Sequence, residues 1–135
     1  MAYVKRGRDD VENFPVEDIH GGEGTCYVRQ LLGYEPKLSV PGHPEDFETL
    51  INFIHETTLE KGASIGLHPH EGNEEVYYVV KGKGKMTVDG EEMIMEPGDA
   101  CLTKDGSKHK FENIGDGEVR IIVIEAVKDP EDKNV

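Results

Sequence analysis

Beyond Gly62 the chain is cut at short, regular intervals by turn signals: Lys81-Gly-Lys-Gly84, Asp89-Gly90, Pro97-Gly98, Asp105-Gly106 and Gly115-Asp-Gly117. The runs between them have the length and composition of strands. Asp89-Gly90 sits between Lys85-Met-Thr-Val88 and Glu91-Glu-Met-Ile-Met95. It is the residue pair that a two-residue hairpin turn demands, because both central positions of that turn need positive φ. Many short strands spaced about 8 to 12 residues apart describe an antiparallel barrel or sandwich. The fold class is therefore all-β.

The N-terminal half is less regular. Residues 1–24 read as a charged arm that ends in the glycine-rich loop His20-Gly-Gly-Glu-Gly24. Thr25 to Leu32 is a β-branched and apolar run, and Pro36, Pro41, Gly42 and Pro44 break the chain after it. Between Phe47 and Leu59 two patterns compete: Phe47, Leu50, Ile51 and Ile54 recur at helical spacing, while the β-branched content from Ile51 to Thr58 favours a strand. A single barrel over residues 25–127 follows, with a charged C-terminal tail, 128–135, expected to fray.

Chemistry concentrates in two of these strands. His68 and His70 are two apart, so on a regular strand both side chains leave the same face and can close on one metal ion. Glu75 and His109 complete a four-residue set; Glu74 has the opposite parity to Glu75 and reads as a solvated neighbour. With His68 and His70 inward, Ser64 and Gly66 are expected inward as well, and so are Tyr77 and Val79 on the Glu75 strand and Phe111 and Asn113 on the His109 strand. Imidazoles with one carboxylate suit manganese, iron, nickel, copper or zinc rather than calcium or magnesium. On an octahedral ion, four such ligands leave two positions open.

The spacing Gly62-x5-His68-x-His70-x4-Glu75-x6-Gly82 resembles the first cupin motif at every defined position. Gly98, Gly106, His109 and Asn113 resemble the second, with Lys104 standing where proline is usual. The two motifs cover residues 62–113. The resemblance implies an antiparallel cupin barrel of jelly-roll type, a double-stranded β-helix, with one divalent transition metal per chain. Within the family this chain resembles the compact bacterial cupins described as oxalate-decarboxylase-like. That implies manganese as the favoured metal and a small carboxylate as ligand. A metal-dependent dioxygenase, a sugar-type isomerase and a non-catalytic ligand-binding module are the other functions the scaffold implies.

Partners are constrained by charge. Fifteen basic residues against 28 acidic ones leave 135 residues with a net charge of −13, which repels nucleic acid and anionic membrane surfaces. No run approaches the roughly 20 apolar residues of a membrane span, and Met-Ala-Tyr-Val-Lys-Arg-Gly-Arg lacks the apolar core of a secretion signal; a cytoplasmic location is expected. Cys26 and Cys101 read as reduced packing residues. An anionic ligand still needs local positive charge, and Arg29 and Arg120 are candidate carboxylate-binding residues because each offers a planar fork of donors. Tyr77 and Phe111 are candidate ligand contacts from the lumen wall. His20 reads either as a turn residue or as a contact at the barrel mouth; His43 reads as a loop residue and His55 as a structural one. The outward residues Val76, Tyr78 and Val80, with the apolar run Val119 to Val127, are too apolar for solvent, and a homodimer is the expected cover.

Overall fold

A computed structural model describes residues 2–135. It contains ten strands: β1 (Phe14–Glu17), β2 (Thr25–Gly33), β3 (Ile51–Leu59), β4 (Ser64–Pro69), β5 (Asn73–Lys81), β6 (Gly84–Val88), β7 (Glu91–Met95), β8 (Ala100–Thr103), β9 (Lys108–Asn113) and β10 (Val119–Val127). Short 3-10 turns at Arg8–Asp10, Ile19–Gly21, Pro36–Leu38 and Pro130–Asp132 are the helical content of the described residues. None of these is long and apolar enough to cross a membrane. Six strands in the order β1-β2-β3-β10-β5-β8 form one antiparallel sheet, and β4-β9-β6-β7 form the other. This is the cupin jelly roll, two sheets closed around one core.

The alternation of burial follows the sequence reading on β5, where Glu75, Tyr77 and Val79 are buried while Glu74, Tyr78 and Val80 are exposed. Segment 47–59 resolves as a strand over Ile51–Leu59, since Phe53, His55, Thr57 and Leu59 all point into the barrel. The Asp89-Gly90 hairpin forms with φ of +48° and +83° at its two central residues. Phe53, Leu59, Met86, Phe111, Ile121 and Val123 fill the interior. Gly84 lies directly beneath the Phe111 ring, and any β-carbon there would collide with it.

Both termini are more tightly held than the sequence suggested. The arm supplies edge strand β1, and Arg6 and Arg8 reach Asp46 and Glu56. In the tail, Lys133 Nζ donates to the carbonyls of Phe47 and Thr49 at 2.8 and 2.6 Å, and the Asn134 amide donates to Asn52 Oδ1 at 2.9 Å.

One inward assignment is corrected. The pairing of β4 with β9 slips between Ile65, opposite Phe111, and His68, opposite His109. This bulge carries an extra residue and inverts parity, so Ile65 and His68 both face the lumen. Ser64 turns outward, its Oγ accepting from the Glu23 amide at 2.9 Å. Gly66 is a close-approach position, where a side chain would strike the His20 carbonyl.

Candidate metal centre

His68 is the penultimate residue of β4 and His70 follows directly after the strand, Glu75 lies near the start of β5, and His109 lies on β9. The His109 Nε2 atom is 3.1 Å from His68 Nε2 and 2.8 Å from His70 Nε2. Glu75 Oε1 is 3.4 Å from both His70 Nε2 and His109 Nε2. All four ligand atoms lie within 4.8 Å of one another.

The other nitrogen of each ring explains this convergence. His68 Nδ1 meets the Gly66 carbonyl at 2.7 Å, His70 Nδ1 meets Asn73 Oδ1 at 2.6 Å, and His109 Nδ1 meets Thr103 Oγ1 at 2.7 Å. Carbonyl oxygens only accept, so the protons of His68 and His70 sit on Nδ1 and both Nε2 atoms present lone pairs. Burial keeps the rings neutral, pushing His68 down to about 3 and His109 to about 4. With the His109 Nδ1 proton donated to Thr103 Oγ1, the His109 Nε2 atom presents a third lone pair, and three lone pairs facing one another across about 3 Å repel unless a cation lies among them. Nitrogen and oxygen ligands at about 2.1 Å from one ion and at right angles would be about 3 Å apart, close to the spacings found. The residues fit one divalent transition metal.

A small cavity of about 20 Å³ adjoins His68 and Glu75, room for little more than one water. His55, Thr57, Tyr77 and Val123 wall it, while Ile19, His20 and Leu38 from two 3-10 turns roof it. His20 has a left-handed backbone, φ +51°, which folds its ring back over His68. It is thus at the mouth and not merely in a turn. Burial holds His20 down to about 4.

Arg29 and Arg120 are corrected. Both extend on the outer face of the six-stranded sheet, where they flank the Glu56 carboxylate at 3.7 and 3.9 Å. His55 and Thr57, either side of Glu56 on β3, point the opposite way into the cavity, so neither arginine reaches it. Phe111 is a core residue, packed under Tyr77 with ring centroids 5.5 Å apart and absent from the cavity wall. Asn113 bridges chain segments, its Nδ2 donating to the carbonyls of Leu59, Glu60 and Gly117. His43 lies in its loop, 3.5 Å from Glu45, and Lys104 is exposed. Both cysteines are free thiols, and burial pushes Cys26 up to about 12.

Two carboxyl groups escaped the sequence reading. Glu35 lines the cavity with burial pushing it up to about 8. Glu125 is buried beside Glu75, and burial also raises both of these carboxyls. Glu125 had a readable signal: it occupies the inward parity of Val119, Ile121, Val123 and Val127, an acid where the pattern asks for an apolar side chain. Glu35, in a loop before a proline, had none.

A two-sheet antiparallel barrel with three imidazoles and one carboxylate converging inside it defines a small β-barrel protein with a set of potential metal ligands. The chain belongs to the cupin domain family, whose model matches residues 55–125. Among curated proteins it is 28% identical to an oxalate-binding protein of Thermotoga maritima over 81% of this chain and 82% of the relative. It is 32% identical to an uncharacterised protein of Methanocaldococcus jannaschii over 90% of this chain and 85% of the relative. Among solved structures, a predicted oxalate decarboxylase from Thermotoga maritima superposes with a TM-score of 0.77 at 26% identity, over 92% of this chain and 98% of that one. A polyketide cyclase from Streptomyces resistomycificus shares the fold at a TM-score of 0.68 and 19% identity, over 93% and 80% of the two chains.

Proposed function

We propose that this protein holds one divalent transition metal, manganese by preference, through His68, His70, Glu75 and His109, and binds a small carboxylate such as oxalate at it. The observation that carries the reading is the convergence of three Nε2 atoms whose partner nitrogens are all engaged elsewhere. The bound ion would supply a Lewis acid for an anionic chelator. Three neutral imidazoles and one carboxylate leave a divalent ion a local charge of about +1, which offsets the repulsion an acid meets from the rest of the molecule. The cavity as it stands is smaller than oxalate, so the ligand would displace the 3-10 turns that carry Ile19, His20 and Leu38, while Tyr77 bounds it from the barrel wall. Glu35, kept neutral by burial, offers an O–H to a ligand oxygen at the cavity wall. The oxalate-binding relative and the oxalate-decarboxylase-like neighbour support the ligand class.

The assembly we propose is a homodimer. Tyr78, Val80 and Leu102, exposed by 42, 41 and 45%, form the apolar patch that a second copy would cover.

Elemental analysis of protein purified without chelators or metal-affinity columns identifies the ion. Calorimetric titration of oxalate into manganese-loaded and metal-free protein then tests the ligand. Binding to the loaded form alone is expected; equal binding to both, or to neither, rejects the reading. Iron as the native metal with uptake of oxygen would favour a dioxygenase instead.

A further inference from the structure

His55 is a buried imidazole of the cavity wall with only one of its two nitrogens engaged by the protein. It lies on β3, opposite Gln30 of β2 on one side and Val123 of β10 on the other, so its backbone belongs to the interior of the six-stranded sheet. The ring is held twice: Nδ1 is 2.7 Å from Thr57 Oγ1, and its face stacks on Phe53 with centroids 5.0 Å apart and planes inclined by 10°. His55 and Thr57 both line the cavity that adjoins His68 and Glu75. His55 is 5% exposed, and among the described residues no group is placed to bond its Nε2.

A purely structural role accounts poorly for this residue. Buried polar atoms in folded proteins are nearly always bonded, and a phenylalanine or leucine would fill the same place in the sheet without desolvating a nitrogen. Thr57 suits a second role. Its hydroxyl can donate to a bare Nδ1 as readily as it accepts from Nδ1–H, so the ring can carry its proton on Nε2. Burial keeps the imidazole neutral, lowering it to about 3. His55 lies outside the metal set, whose ligand atoms gather without it. The order β3-β10-β5 puts its strand two spacings, about 10 Å, from the strand that carries Glu75. A neutral N–H donor is thus fixed to a paired strand, whereas the roof above consists of 3-10 turns that a ligand would displace.

We propose that His55 is a ligand-binding residue: its Nε2–H, oriented by Thr57, donates to an oxygen of the bound acid that the metal does not hold, and so selects for an acid with a second carboxylate. The inference rests on the carboxylate reading above and adds the distal contact to it. A chelating dicarboxylate turns two oxygens toward the ion and two away. The latter need donors from the protein, and neither Arg29 nor Arg120 supplies them from the outer face. A monocarboxylate has no such second group. A hydrogen bond to a charged acceptor contributes roughly tenfold or more to affinity.

The test separates hydrogen bonding from packing. Oxalate, malonate and acetate are titrated calorimetrically into the manganese-loaded parent, His55→Leu, His55→Gln and Thr57→Val, with metal content measured on the same samples. For His55→Leu the tighter-binding of the two diacids is expected to weaken about 10-fold, with acetate within about twofold and manganese content unchanged. Glutamine places an amide N–H at a reach similar to that of Nε2, so His55→Gln should stay within about threefold of the parent. Thr57→Val keeps the ring but removes its orienting hydroxyl and should give an intermediate loss, which keeps the test decisive should the leucine variant not fold. Parent-like diacid affinity in His55→Leu, or in Thr57→Val if the leucine variant is unfolded, overturns the role while leaving the carboxylate reading intact. An equal loss for acetate also overturns it, since His55 would then act through packing alone. A parent that holds manganese yet binds none of the three acids overturns the carboxylate reading and this inference with it.

Discussion

The imidazole of His20 lies flat on that of His68, with ring centroids 3.8 Å apart and planes inclined by 18°. One ring belongs to a 3-10 turn before the first long strand and the other to the metal set, so the loop that roofs the cavity is attached to the wall that would carry the ion. Close packing of Gly22 and Gly66, where neither position has space for a β-carbon, holds the turn at that distance.

Removing the His20 ring should therefore loosen the mouth without emptying the centre. For His20→Ala we expect unchanged metal content and about 2 to 10-fold weaker oxalate binding to the manganese form, the range that a stacking contact of about 0.5–1.5 kcal/mol supplies. Calorimetry with metal analysis of the same samples checks it. Loss of the metal in this variant would make His20 part of the metal set instead.

His68→Ala should lose most of the metal yet stay folded, because the core is apolar and the ion adds stability only by binding the native state. Emission spectrometry and circular dichroism read the two properties separately. Full metal occupancy in a His68→Ala, His109→Ala double variant would sink the proposed centre.

Acid should destabilise the metal-free protein through its buried histidines. Burial lowers His55 to about 3, far below its ordinary 6.5. Between those values the unfolded chain binds a proton that the native state refuses, so this contribution is complete above about pH 6.5 and is lost as pH falls toward 3. Each such group adds at most about 1.4 kcal/mol per pH unit to the slope. Urea unfolding from pH 7 to pH 4 should give a shallower acid limb for His55→Gln than for the parent; identical limbs would contradict the assignment.

Asn113 holds three carbonyls with one amide and accepts from the Gly115 amide at 3.0 Å, so it ties the end of β9 to the β3–β4 turn. Asn113→Ala leaves the Gly117 carbonyl and the Gly115 amide without their partner, while the Glu60 carbonyl keeps the Ala63 amide. A loss of about 1–3 kcal/mol per unsatisfied group is expected on denaturant unfolding, with cobalt affinity little changed.

For the assembly, light scattering after size exclusion should report about twice the 15.0 kDa chain mass. Tyr78→Glu should shift the protein to a monomer, because it places a charge in the centre of the apolar patch. A monomeric parent at tens of micromolar would reject the dimer.

Sequence alone determined the parts of this protein that depend on local periodicity. Turn residues at Asp89-Gly90 and Gly98 set where strands end, and the alternation along β5 put Glu75 and Tyr77 inward while leaving Glu74 outside. The spacing of His68, His70, Glu75 and His109 was legible for the same reason, since each lies within a few residues of a strand end whose parity can be counted. Tertiary structure decided everything that parity cannot carry across a bulge or a loop. The slip between Ile65 and His68 sent Ser64 outward, and the face on which Arg29 and Arg120 lie depended on the register of three paired strands around Glu56. Glu35, His20 and Glu125 come from segments far apart in sequence that meet only when the two sheets close. Side-chain direction within a strand is a two-residue property, whereas the company a buried group keeps is set by long-range packing.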